Sequence, residues 1–379
     1  MAYLKTSGSL HLNSLYLHYP FCRHLCNYCD FYKNIAKDDD EVTRFETLLS
    51  NMVSRQSSLM EEFDYKWGVL ETIYIGGGTP SLWGKRGAQF INNFLEQHRI
   101  TKSSECEFTL EVNPGSWTAE GLNAWQDSGV NRFSLGIQSL DSRFIKLLDR
   151  IHNIDDVFVT LEKFKEMNAN FSVDFMLGLP QSETLGRDVI DELETILKFN
   201  PSHISLYILT TKEHYIHKDS LPSDEWIEKE YLAVSDFLLK RGFDHYEVSN
   251  FSKKGKSSKH NLRYWQMKSV GALGPSATGY LSEKKFRYKW KVSSAEFVPE
   301  LLDENAVLLE TLYMNLRINE GLSLSFFNDK NKNEQLFVIA QAWSSRGIAE
   351  IVEDRVVLNS RGFLILDFLM DEIFSRINF

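Results

Sequence analysis

Cysteine is scarce in this chain, with four residues in 379. That is too few for a disulfide framework at this length. Long apolar runs are missing as well, and the greasiest stretch, GFLILDFLM at residues 362–370, is broken by Asp367. It falls short of the ~20 apolar residues that a membrane span needs. The opening MAYLKTSGSLHLNS has neither an apolar core nor a cleavage pattern, so no secretory signal is expected. Positive charge is in deficit: the formal net charge is −10, which speaks against a general nucleic-acid binder. Internal repeats and low-complexity tracts are lacking too. These absences predict a soluble protein of the cytoplasm, a reducing compartment where clustered thiols hold a metal or do redox chemistry.

What is present is an ordinary globular composition, 43% apolar and 25% charged, in a chain long enough for one large domain and a smaller one. Six segments read as buried strands: LYLHY (15–19), TIYIGGG (72–78), EFTLEVNP (107–114), RFSLGIQS (132–139), FSVDFMLGLP (171–180) and HISLYILT (203–210). Helix-like stretches lie between them, among them residues 39–63 and TLGRDVIDELETILKF from Thr184. Gly129 and Asn200 stand where C-terminal caps belong. Such alternation predicts an α/β fold with a parallel sheet, closed as a barrel or open and doubly wound. Either form binds ligands at the C-terminal strand ends. Those ends carry Gly76-Gly77-Gly78-Thr79-Pro80, Glu111, Asn113, Gln138 and Asp174, with Arg150 a little beyond. Residues 251–295 hold eleven Lys or Arg and one acid, Glu283, interleaved with aromatics. Helical spacing then returns, and the C-terminus reads as a hairpin followed by a helix.

Three of the four cysteines, Cys22, Cys26 and Cys29, fall within PFCRHLCNYCDFYK. Structural zinc wants four ligands, usually as two pairs. His18 or His24 could complete such a site, but C-x3-C-x2-C is an odd zinc spacing. A four-iron cluster on three thiolates leaves one iron open to a small molecule, which explains a triplet better. Aromatic neighbours would keep water from it.

The triplet, with an aromatic before its last cysteine, resembles the signature of the radical S-adenosylmethionine (SAM) superfamily. YLHYPFCRHLCNYCDF is similar to its HemN/HemW branch, and the likeness continues through IGGGTPSLW, LEVNPGS, GVNRFSLGIQSL, Arg150-Ile151-His152, DFMLGLP, YEVSNF, HNLRYW and MNLRINEGL. The resemblance implies a partial (β/α)6 TIM-like barrel followed by a smaller mixed α/β domain. On that basis residues 1–13 are expected as a tail, 14–242 as the barrel, 243–300 as a basic, aromatic connecting region, and 301–379 as a helical, winged-helix-like domain. It also implies that Cys22, Cys26 and Cys29 hold a [4Fe-4S] cluster and that Tyr16 and Tyr28 flank it. Gly77, Gly78 and Thr79 would meet the methionine end of SAM. Glu111, Gln138 and Asp174 would hydrogen-bond ribose and polar ligand groups, and Arg150 would pair with a carboxylate.

HemN-like dehydrogenases carry a further cysteine where this chain has Phe31, and the HemW-like members do not. The HemW-like members, regarded as haem chaperones, also share His260-Asn261-Leu262-Arg263-Tyr264-Trp265. The resemblance thus implies haem as cargo, with His260, Tyr264 and Trp265 as its contacts. It implies haem-accepting proteins as partners, membrane-associated ones included; a dimer is one of the states left open. Relatives have a histidine where this chain has Thr278. Anaerobic decarboxylation of coproporphyrinogen III, a radical reaction on another substrate, and structural zinc are the rival expectations.

Overall fold

The computed structural model describes residues 9–378. Strands and helices alternate from the start: β1 (Leu10–Tyr19), α1 (Asp39–Glu62), β2 (Tyr65–Gly77), α2 (Gly84–Gln97), β3 (Lys102–Val112), α3 (Ala119–Asp127), β4 (Arg132–Gln138), α4 (Ser142–Leu147), α5 (Ile154–Glu166), β5 (Phe171–Leu177), α6 (Val189–Leu197), β6 (His203–Ile208) and α7 (Asp224–Lys240). The basic segment that follows holds β7 (Asp244–Glu247), β8 (Asn250–Ser252), α8 (Lys259–Trp265), β9 (Gly271–Leu273), β10 (Thr278–Leu281), β11 (Phe286–Trp290) and β12 (Phe297–Leu301). The chain ends with α9 (Glu304–Leu316), β13 (Leu322–Ser323), α10 (Lys330–Ser345), β14 (Ala349–Val352), β15 (Arg355–Leu358), α11 (Ser360–Leu364) and α12 (Leu366–Arg376).

Two compact units result. The first comprises residues 9–25, 30–133 and 268–302; the second comprises 26–29, 134–267 and 303–378. In the first, β1 pairs in parallel with β2 on one side and with β9 on the other, and β2 pairs with β3. Leu15, Leu17, Ile73, Ile75, Phe108 and Leu110 are buried along these strands. Helix α1 starts where the Asp38 side chain accepts from the Glu41 amide, with three further acids in its first turn. Its Phe45, Leu49, Met52, Val53, Leu59 and Met60 recur at helical spacing and are buried. Each such side chain contributes roughly 1.5–3 kcal/mol over exposure. Strands β10, β11 and β12 form a small antiparallel sheet.

In the second unit β5 pairs in parallel with β6, and β8 and β7 extend the sheet antiparallel. A separate core gathers Leu312, Leu336, Trp343, Val356, Phe363, Leu369 and Ile373 around the antiparallel β13, β15 and β14. No helix among the described residues is long and apolar enough to cross a membrane.

Three boundaries differ from expectation. Residues 1–8 of the expected tail lie outside the described residues, but 10–13 are strand, because Leu10 and Leu12 register against Tyr65 and Trp67. The helix expected from Thr184 starts at Val189, where the Asp188 side chain takes the first free amides. The segment expected as a connecting region folds into β7–β12 and α8, its aromatics Tyr288 and Trp290 fully buried. Gly129 and Asn200 have the left-handed backbone of C-caps, as expected.

Candidate functional site

Strand alternation puts Tyr16 and His18 on one face of β1 and Tyr74 and Gly76 on one face of β2, with Tyr16 in register with Tyr74 and His18 with Gly76. The two nitrogens of His18 are both engaged: Nε2 lies 2.8 Å from the Tyr32 carbonyl and Nδ1 lies 3.0 Å from the Tyr16 hydroxyl. A carbonyl only accepts, so Nε2 carries the proton and Nδ1 accepts from Tyr16. Burial lowers the pKa of His18 and keeps it neutral. With both nitrogens used, His18 is no spare ligand for zinc.

Beyond β2 the chain turns through Gly77 and Gly78. Gly77 has φ +115°, and a Cβ there would lie 2.6 Å from the His18 ring. A Cβ on Gly78 would lie 2.7 Å from the Phe21 carbonyl oxygen. Only glycine lets this loop lie so close to the stem of the cysteine loop. Glu111 holds it, accepting 3.0 Å from the Gly77 amide and 2.8 Å from the Tyr74 hydroxyl. Asn113 donates to the Thr79 hydroxyl at 3.0 Å, and Thr79 donates to Cys22 Sγ at 3.5 Å. The cysteine loop is pinned at its base by Cys22 N–H to Asn34 O and Asn34 N–H to Pro20 O, both 2.8 Å. Tyr19 and Phe21 below it pack against Phe45, with Trp83 stacked on Tyr19 at 5.1 Å. The first unit thus brings together Tyr16, Gly77, Gly78, Thr79, Glu111 and Cys22.

The second unit gathers Cys26, Tyr28 and Cys29 with Arg150. Arg150 donates to the Tyr28 hydroxyl at 3.0 Å, to the Gly136 carbonyl at 2.8 Å and to His152 Nδ1 at 3.1 Å. Burial raises the Tyr28 phenol. Burial alone would pull Arg150 down, but Tyr28, Cys26 and Cys29 outweigh it and raise its pKa. Burial, and then the charge of Arg150, lower His152 to about 3. None of the four cysteines is in a disulfide, and Cys22, Cys26 and Cys29 are half-buried.

Gln138 and Asp174 sit in separate settings. Asp174 accepts from Ser134 at 3.1 Å, and Ser134 accepts from Ser172 at 2.9 Å. Gln138 has a left-handed φ of +71°, a strained value for a non-glycine residue. Its carbonyl faces Arg187 at 3.4 Å. Arg187 is enclosed, pairing with Glu192 at 2.8 Å and donating to the Met176 carbonyl at 2.6 Å. Glu192 accepts from Ser139 at 2.7 Å, and Glu230 accepts from the Gly178 amide at 2.8 Å. This buried network fixes the ends of β4 and β5. Sequence reading missed it, as it missed Tyr74 and the part played by His18; alternation along β1 and β2 could have found the latter two.

His260, Tyr264 and Trp265 form a group of their own on α8. His260 is 1% exposed and packs edge-on against Tyr264, with ring centroids 5.5 Å apart. The Arg317 guanidinium lies 3.9 Å above the Trp265 ring and pairs with buried Glu247 at 3.0 Å. Thr278 sits in β10 opposite Lys289. Phe31 is 69% exposed.

Comparison with known proteins adds to this geometry. Residues 16–193 match the model of the radical SAM superfamily. The chain is 30% identical to the haem chaperone HemW of Lactococcus lactis over 92% of each chain. It is 28% identical to the haem chaperone HemW of Bacillus subtilis, covering 93% of this chain and 97% of that one. It is also 29% identical to the mitochondrial radical S-adenosyl methionine domain-containing protein 1 of Bos taurus, over 96% and 88%. Among solved structures, the coproporphyrinogen III oxidase HemN of Escherichia coli superposes with a TM-score of 0.77, at 16% identity, over 98% of this chain and 91% of that one. At that identity the likeness is one of fold: an α/β protein with a large parallel sheet of the HemN barrel type and smaller antiparallel sheets beyond it.

Proposed function

The chain belongs to the HemW family of radical SAM proteins, and on that footing we propose that it holds a [4Fe-4S] cluster, binds SAM, and carries haem to acceptor proteins in the cytoplasm. The reading rests on similarity to haem chaperones along nine-tenths of the chain. The residues suit the group: three half-buried cysteines, none of them in a disulfide, share one short loop, and Cys26 and Cys29 lie near enough to Arg150 to act on its charge. Held by Cys22, Cys26 and Cys29, such a cluster would leave one iron open to the amino and carboxylate groups of SAM. Tyr16 and Tyr28 flank that position in this proposal, and Gly77, Gly78 and Thr79 let the backbone approach the methionine end. Glu111, Gln138 and Asp174 offer hydrogen-bond partners to ribose and other polar groups, and Arg150 offers a fork for a carboxylate.

Haem contact is assigned to the α8 group. His260 is enclosed, so ligation of iron by its ring requires α8 to move, whereas Tyr264 and Trp265 are partly exposed. The test is an anaerobic haem titration of the reconstituted protein, with and without SAM. The wild type is expected to develop a Soret band that His260→Ala loses or shifts. An unchanged band and affinity in that variant would remove His260 as ligand. Formation of protoporphyrinogen from coproporphyrinogen III would overturn the chaperone reading in favour of the dehydrogenase. Phe31, in place of the further cysteine, speaks against that outcome.

A further inference from the structure

We infer that His152 is a positioning residue: its Nδ1 fixes the guanidinium of Arg150, and through it the hydroxyl of Tyr28. The inference rests on the proposed pairing of Arg150 with the carboxylate of SAM. Residues 150–152 link α4 to α5 without regular secondary structure. Ile151 is 62% exposed, while His152 is 7% exposed. Arg150 spends its Nε–H on His152 Nδ1, one N–H on Tyr28 and one on the Gly136 carbonyl. A guanidinium only donates, so Nδ1 must accept, and the ring proton must sit on Nε2. Among the described residues no acceptor lies within hydrogen-bond reach of that buried Nε2–H. A buried donor left without a partner destabilises the fold. Stability alone therefore gives no reason for an imidazole here, because a residue with an acceptor and no second donor would serve better. What the imidazole supplies is a neutral acceptor at a fixed place, and the one group that uses it is Arg150. Held on three sides, the guanidinium is set in orientation before any ligand arrives, which removes an ordering cost from binding.

Amide side chains separate this role from space-filling. Asparagine places its amide near Nδ1 and keeps an acceptor for Arg150. Glutamine places its amide near Nε2, and leucine has none. The full-length protein is reconstituted anaerobically, cluster content is matched, and SAM affinity is read from equilibrium dialysis and from the change SAM makes in the reduced-cluster EPR spectrum. His152→Leu is expected to weaken SAM binding roughly tenfold or more, and His152→Asn to stay within about threefold of wild type. Should His152→Leu not fold, His152→Gln takes its place with the same expectation. Wild-type affinity in the leucine or glutamine variant overturns the inference, and so does an asparagine variant as weak as leucine. Failure of the underlying reading shows elsewhere: Arg150→Ala would then bind SAM like the wild type.

Discussion

His245 shows how one enclosed side chain ties stability to pH. Its Nε2 faces the Val248 carbonyl at 3.3 Å, its Nδ1 meets the Ser360 hydroxyl at 2.8 Å, and its ring stacks on Phe251 at 3.9 Å. Burial lowers its pKa to about 4. The unfolded chain, with a histidine near 6.5, therefore binds a proton that the folded chain refuses. Stability is full above pH 6.5 and falls as pH drops from 6.5 towards 4, by up to about 1.4 kcal/mol per pH unit for this one group. Urea unfolding at pH 7.5, 6.0 and 5.0 should show that slope, and His245→Gln should lose about one proton's worth of it. Equal slopes in the two proteins would refute the assignment. The sequence offers nothing that separates His245 from the other nine histidines, since burial is a property of the packed chain. Cys22, Cys26, Cys29 and the glycine run were legible because each needs a particular atom, or the lack of one, at a given place.

At the scale of elements, the ends of β4 and β5 and the first turn of α6 depend on one cation. The side chain of Arg187 is 0% exposed, and the carboxylates of Glu192 and Glu230 lie 2.8 and 3.9 Å from it. Burial raises the pKa of Glu230, with the charge of Arg187 opposing. Removing the cation strands two enclosed acids. Arg187→Met should cost roughly 3–5 kcal/mol in urea unfolding, and Arg187→Met/Glu192→Gln should recover part of that. A single variant as stable as wild type would refute the network's role. Such a network also joins Ser139 to Glu192 and Gly178 to Glu230, far apart in sequence, so no local pattern announces it. The strands themselves were legible because buried apolar runs ending in glycine or proline are local. Strand β9 was not, because three residues, Gly271–Leu273, are too short to stand out. Only their register against Leu15–Leu17 makes them a strand.

For the whole molecule, the three thiols are distinct from the cores, although Phe21 and Tyr28 of the same loop pack into them. The thiols of Cys22, Cys26 and Cys29 are half-buried, and the apolar cores of both units are built from other residues. Replacing all three cysteines by alanine should therefore abolish iron binding while changing unfolding stability by no more than about 1–2 kcal/mol. Metal analysis and urea unfolding of the same sample check this, and loss of cooperative unfolding would contradict it. The pairing of β1 with β9 bears on how the chain is made. Leu15 meets Gly271, a residue synthesised 256 positions later. At elongation rates of ~5–20 residues per second that interval is roughly 10–50 s. The strand leading into the cysteine loop thus leaves the ribosome well before the partner that covers its second edge. Through that interval it offers a row of unpaired amides and carbonyls to any neighbouring chain, and a protein truncated before residue 271 would keep that open edge for good.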